Sequence, residues 1–180
     1  DASYEGAIKD HTCEIKTFAL NADDVDLKAA ELRLVREPGY LGVAFEVSGE
    51  VNGSIQTGIP GKFSVYNSLV AIAVCHELDI PFEHIKSALA TIKVRGRVEI
   101  VPVADHFTIM IDYAHNAASV ESLLTTICEY NPKRIVCVYG CGGNRSKLRR
   151  YDMGELCGKM ADLSILTCDN PRDEEIEAIN

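Results

Sequence analysis

Apolar residues change their spacing twice along this 180-residue chain, near residue 60 and again near residue 96. That feature excludes both an all-helical bundle and an all-strand sandwich. A period of two lines one face of a strand and a period of 3.6 lines one face of a helix, so the chain must hold both kinds of element. Before residue 60 the period is two. Val43, Phe45 and Val47 alternate with Ala44 and Glu46, Leu32 and Leu34 alternate with Arg33 and Val35, and Thr17 to Leu20 is short and β-prone. Asn52-Gly53 is a hairpin-turn dipeptide, since both residues tolerate positive φ. Antiparallel ribbons are expected there.

After Gly58-Ile59-Pro60-Gly61 the apolar positions are Val65, Leu69, Ile72, Ala73 and His76, one stripe of a helix with Ser64 placed to cap it. A second helix follows Pro81, with Phe82, Ile85, Leu89 and Ile92 on one side; proline at a helix start sacrifices no intrahelical bond. Beyond Gly96, Val98 to Val103 and Phe107 to Ile111 read as strands joined by the turn Ala104-Asp105-His106. A helix striped by Val120, Leu123, Leu124 and Ile127 comes next, then the apolar run Ile135 to Tyr139, a helix carrying Met153, Leu156, Cys157 and Met160, and the run Leu163 to Thr167. Continuous apolar runs suit strands buried on both faces, and the β-α-β-α-β order predicts a parallel sheet with right-handed crossovers. The fold class expected is α/β, with a boundary between residues 1–96 and 97–180.

Charge and cysteines narrow the function. Lys and Arg total 18 against 27 Asp and Glu, a formal charge of −9. That balance argues against nucleic acid phosphates or an anionic membrane surface as partners. The polar, acidic opening Asp1 to Asp10 does not read as a secretory signal. Seven scattered cysteines without a C-x-x-C pair read as free thiols in a reducing cytoplasm, with no zinc site. The chain starts without Met and stops at Ile176 to Asn180 in a helix barely begun, so a fragment of a longer protein is expected.

In an open parallel sheet, ligands bind beyond the carboxyl ends of the strands. Three polar segments are expected there: Asp112-Tyr113-Ala114-His115-Asn116, Gly140-Cys141-Gly142-Gly143-Asn144-Arg145 and Asp169-Asn170-Pro171-Arg172. Asp112 can accept from ribose hydroxyls or cap the next helix. His115 can stack on a nucleotide or serve the fold. Gly140 to Gly143 suits either an anion held by backbone N–H groups or a plain tight turn. Arg145 can grip a carboxylate or phosphate bidentately, whereas Lys147, Arg149 and Arg150 read as a solvated face. Arg172, beside a rigid Asn-Pro turn, can clamp a carboxylate or pair with Asp173 or Glu174. Arg97 can face a phosphate or make an ion pair across the boundary.

Six segments in order resemble the Mur ligase family: Gly61-Lys62-Phe63-Ser64-Val65-Tyr66-Asn67-Ser68-Leu69, Gly96-Arg97-Val98-Glu99, Asp112 to Asn116, Gly140 to Arg145, Met153-Gly154 and Asp169-Asn170-Pro171-Arg172. The resemblance implies the end of a P-loop-type central ATP-binding domain followed by the first half of a Rossmann-like C-terminal domain. It implies an ATP-dependent ligase of peptidoglycan synthesis, using Mg2+ and working through an acyl phosphate. Its substrates would be UDP-N-acetylmuramoyl-dipeptide and an incoming amino acid. Asn67, Arg97, Asp112 and His115 would then face ATP, and Arg145, Asp169, Asn170 and Arg172 the amino acid. The Asp-Asn-Pro-Arg form resembles the meso-diaminopimelate-adding members. The P-loop, a magnesium-binding Glu and a carbamylated Lys would lie upstream, so the chain alone would not catalyse. Ser64, Ala117, Asn144 and Ser146 depart from the family pattern. Two alternatives are a related ligase with another amino acid and a non-catalytic nucleotide- or anion-binding module.

Overall fold

A computed structural model describes residues 8–37, 39–103 and 106–180. The first half is a four-stranded sheet backed by two helices. Strands β1 (Phe18–Ala19), β2 (Leu27–Glu37), β3 (Tyr40–Gly49) and β4 (Gly53–Thr57) lie in sequence order. β1 runs parallel to β2, and β2–β3 and β3–β4 are antiparallel. The period-two reading of β3 is met: Val43, Phe45 and Val47 are buried, opposite Thr57, Ile55 and Gly53. β2 departs from simple alternation. Its register with β3 shifts between Ala30 and Arg33, where Glu31 takes φ 52°. A bulge re-aims every residue after it, so Leu27 and Ala29 are buried while Leu34 is exposed.

Helix α1 (Lys62–Glu77) buries Val65, Leu69, Ile72 and Ala73 against this sheet. Its N-cap is Gly61 at φ 94°; Ser64, expected as the cap, lies in the first turn and donates its hydroxyl to the Gly61 carbonyl over 2.6 Å. Gly61 leaves the β4 turn with a positive φ that suits glycine, so the helix starts earlier than the hydroxyl pattern suggests. α2 (Phe82–Thr91) follows Pro81 as expected and adds Ile85 and Leu89 to the core.

The second half has its own core. β5 (Glu99–Val101) and β6 (Ile109–Ile111) pair antiparallel; Ala104 and Asp105 of the expected turn lie outside the described residues. Then come α3 (Ala117–Glu129), β7 (Val136–Tyr139), α4 (Lys147–Met160), β8 (Leu163–Leu166) and the single turn α5 (Ile176–Ile179). β7 and β8 are parallel, in register from Val136 opposite Leu163 to Tyr139 opposite Leu166. Two expectations are corrected. β6 bonds to β5 and not to β7, so the described strands form no three-stranded parallel sheet. β7 and β8 are not buried on both faces: Val136, Val138, Leu163 and Ile165 are exposed. On β7 only Cys137 and Tyr139 are half-buried, against the core formed by Val120 and Leu124 of α3 and Met153 and Cys157 of α4, and all four residues of β8 are exposed. All seven cysteines are free thiols, and the Cys137 and Cys157 sulfurs lie 3.8 Å apart inside this core. No helix among the described residues is long and apolar enough to cross a membrane.

Candidate functional site

The loops after β7 and β8 interlock. Gly143 donates its N–H to the Asn170 carbonyl over 2.8 Å, and Arg172 returns a bond from Nη1 to the Gly143 carbonyl. A methyl on Gly142 would lie 3.1 Å from Arg172 Nη1 and 3.8 Å from Arg145 Cγ. A methyl on Gly143 would lie 1.8 Å from the Pro171 carbonyl oxygen. Gly143 is therefore required by close approach of the partner loop's backbone, whereas at Gly142 only the Arg172 guanidinium would have to shift, by a few tenths of an ångström. Asp169 backs onto Gly140, whose added Cβ would sit 2.9 Å from the Asp169 nitrogen. Arg145, Asp169, Asn170 and Arg172 thus share one exposed rim. Arg172 is held at φ 50°, and its N–H donates to the Asn170 side-chain oxygen over 3.3 Å. One of its five guanidinium N–H groups goes to Gly143, and the others remain available to a planar anion.

The supports of this rim were not legible. Glu174 accepts the Asn144 N–H and, through both carboxylate oxygens, Arg150 Nη2 at 2.8 Å each. The Arg150 guanidinium and the Asn144 N–H hold the Glu174 carboxyl below the usual range. Arg150 is not part of a solvated face: its side chain is 8% exposed. This pairing also shows why Arg172 does not bridge to Glu174. A partner 24 residues away leaves no local pattern. Asn144, at φ 53°, donates its side-chain amide to Asp173 over 2.8 Å.

A second group forms where the halves meet. Asp112 accepts the Val98 N–H through Oδ2 over 2.8 Å and the Ala114 N–H through Oδ1 over 2.7 Å. It therefore ties its own loop to the Gly96 turn and does not cap α3. That cap is Asn116, which forms a reciprocal capping box with Ser119. The Asn-x-x-Ser spacing was the available signal. Glu99 accepts the Gly96 N–H over 2.8 Å. Between these two carboxylate anchors, buried Val98 is held at φ 46°, strained for a β-branched residue. The turn sets Arg97 over the Tyr113 ring, 5.0 Å from its centroid, and Tyr113 lies 5.2 Å from the His115 ring. Arg97, Asp112 and His115 are brought together, with Tyr113 as an aromatic platform that residue type alone did not flag. Arg97 also borders a junction cleft of about 250 Å³ with Tyr40, Gly58, Ile59 and Ile92. Asn67 stands on the exposed side of α1, without a side-chain hydrogen bond among the described residues. Among those residues, no three His, Cys, Asp or Glu side chains converge as metal ligands.

An α/β protein with an interlocked cationic rim beyond two parallel strands is thereby defined. Residues 96–180 match the family described as Mur ligase, glutamate ligase domain. The chain is 38% identical over 170 residues, 93% of its length and 34% of the relative's, to UDP-N-acetylmuramoyl-L-alanyl-D-glutamate–2,6-diaminopimelate ligase of Alkaliphilus oremlandii. It is 42% identical over 139 residues, 77% of its length and 29% of the relative's, to the ligase of that name from Caldanaerobacter subterraneus subsp. tengcongensis. A solved structure of a UDP-N-acetylmuramoyl-L-alanyl-D-glutamate–2,6-diaminopimelate ligase superposes with a TM-score of 0.63 over 99% of this chain and 36% of that one, at 24% identity. The chain belongs to the Mur ligase family, and it spans about a third of the length of these curated relatives.

Proposed function

We propose that this chain is the amino-acid-binding and part of the nucleotide-binding segment of an ATP-dependent ligase. The ligase joins meso-diaminopimelate to UDP-N-acetylmuramoyl-dipeptide in cytoplasmic peptidoglycan synthesis. The observation that carries the reading is the rim formed by Arg145, Asp169, Asn170 and Arg172, whose loops lock through Gly142 and Gly143. The names of the relatives supply the substrate class.

Arg172 meets the distal carboxylate of the amino acid through its remaining N–H groups. Asn170 and Asp169 face its amino and amide-bonding groups, and Arg145 adds positive charge to the rim. Lysine lacks the distal carboxylate, so it leaves Arg172 desolvated without a partner and is disfavoured. On the nucleotide side, Arg97 over the Tyr113 ring and the His115 ring tilted beside it offer a cation to a phosphate and an aromatic surface to a base. Each Asp112 oxygen keeps a lone pair for a ribose hydroxyl while bonding its backbone N–H. Asn67 contributes from α1. ATP supplies the phosphoryl group that activates the dipeptide carboxylate, and the amine displaces phosphate from that acyl phosphate. Mg2+ would accompany the ATP phosphates and offset their charge; among the described residues no three His, Cys, Asp or Glu side chains converge to hold it.

The test is Arg172→Ala in the full-length protein. The apparent KM for meso-diaminopimelate should rise more than tenfold while that for ATP holds; an unchanged diaminopimelate KM overturns the assignment.

A further inference from the structure

The halves carry separate cores. Leu27, Phe45, Ile55, Leu69 and Ile72 anchor one, Val120, Leu124, Met153 and Cys157 the other, and they share no residue. Small polar interfaces between such units permit relative motion unless something fixes them. Here the seam is fixed where α3 ends. Tyr130, the C-cap of α3, is 6% exposed, and its hydroxyl donates to the Gly42 carbonyl of β3 over 2.6 Å. Arg36 of β2 donates from Nη1 to the Tyr130 carbonyl over 2.7 Å and to the Asn131 carbonyl over 3.2 Å. The Tyr130 carbonyl lies at the C-cap, the negative end of the α3 dipole, which a guanidinium offsets. Thr126, also on α3, presses on Gly61, where an added Cβ would lie 2.7 Å from its methyl.

The same β2–β3 ribbon does two things. At Arg36 and Gly42 it receives α3; at Gly39 and Tyr40 it walls the junction cleft that Arg97 borders. Whatever fixes α3 on the ribbon therefore fixes the cleft width at Arg97. We propose that Arg36 and Tyr130 form a latch that sets the orientation of the second half on the first and so positions Arg97 and its platform for the nucleotide. The inference builds on the ligase reading for what the cleft binds, but the latch itself is a claim about geometry. Burial pushes the Tyr130 phenol up to about 12, so the hydroxyl stays a donor beyond the pH at which an exposed tyrosine ionises.

Small-angle X-ray scattering of the 180-residue chain tests the latch. Tyr130→Phe and Arg36→Ala should each broaden the distance distribution and lengthen the maximum dimension. Arg36→Lys, which keeps a cation beside the carbonyls, should restore the wild-type curve. Circular dichroism of each variant should keep its helical amplitude, because both cores are untouched. Wild-type scattering for both Tyr130→Phe and Arg36→Ala overturns the latch, as does loss of helical signal without a change in dimension. In the full-length protein, Tyr130→Phe should raise the ATP KM about tenfold, the loss of one buried hydrogen bond, and leave the amino acid KM unchanged. Altered scattering with no ATP dependence at all would keep the latch and discard the ligase reading. Unaltered scattering with normal ATP-dependent ligation would do the reverse.

Discussion

Replacing Asp112 with Ala should loosen the junction turn without unfolding either core. The carboxylate accepts two backbone N–H groups, from Val98 at 2.8 Å and Ala114 at 2.7 Å. Hydrogen bonds to a charged group contribute about 1.5–3 kcal/mol each. Asp112 is half-buried, so water partly replaces it, and the lower end applies: about 3 kcal/mol for the pair. Release of Val98 from φ 46° returns about 1 kcal/mol of backbone strain. The net local loss is about 2 kcal/mol, roughly a thirtyfold rise in local opening. Amide hydrogen exchange read by NMR checks it. The Val98 and Ala114 amides should exchange about thirtyfold faster in Asp112→Ala and less than that in Asp112→Asn, which keeps one acceptor oxygen. Amides of β3 and α4 should not change. Equal exchange at Val98 and Ala114 in variant and wild type would refute the anchoring role and leave Asp112 a ligand group alone.

Gly143→Ala should separate the two rim loops, because the new methyl would meet the Pro171 carbonyl at 1.8 Å. The melting temperature of the second half should fall and the bond from the residue-143 N–H to the Asn170 carbonyl be lost, seen as faster exchange of that amide. The Tyr130 phenol is raised from 10.0 to about 12 by burial, so it stabilises the fold in full below pH 10. Between pH 10 and 12 the unfolded chain loses that proton and the folded one keeps it. The stability advantage of wild type over Tyr130→Phe should therefore shrink across that window, by on the order of 2 kcal/mol, measured by urea midpoints.

What the sequence reveals is whatever lies within a few residues. The Val43, Phe45, Val47 alternation marks β3, and the stripe through Val65, Leu69 and Ile72 marks α1. Pro81 marks the start of α2. The failures have one physical origin: the deciding partner is distant in sequence. Glu31 bulges because of how β2 meets β3, and no property of Leu32 or Leu34 announces it. β6 reads as apolar whichever strand it joins, and it joins β5. Val136 and Val138 match a doubly covered strand, yet what faces them is not decided by their own residue types. α1 illustrates the same limit, since Tyr66, Val70 and Val74 form a second apolar stripe that stays exposed beside the buried one.

The rim and the junction follow different logics. In the rim, Gly143, Asn170, Arg172, Asn144, Glu174 and Arg150 are joined within the second half by reciprocal hydrogen bonds. Ordering these loops is part of folding that half, so little entropy remains to be lost when a carboxylate arrives. At the junction, Arg97 is set by a strained turn on one side and by the ribbon carrying Arg36 and Tyr40 on the other. Its geometry depends on both halves and on the seam between them. Substitutions along the seam should therefore divide the proposed sites, disturbing the nucleotide side while the amino acid rim keeps its shape. A carboxylate-binding rim that failed together with the seam would mean that the interlocked loops borrow their order from the first half, and the independence of the second core would have to be given up.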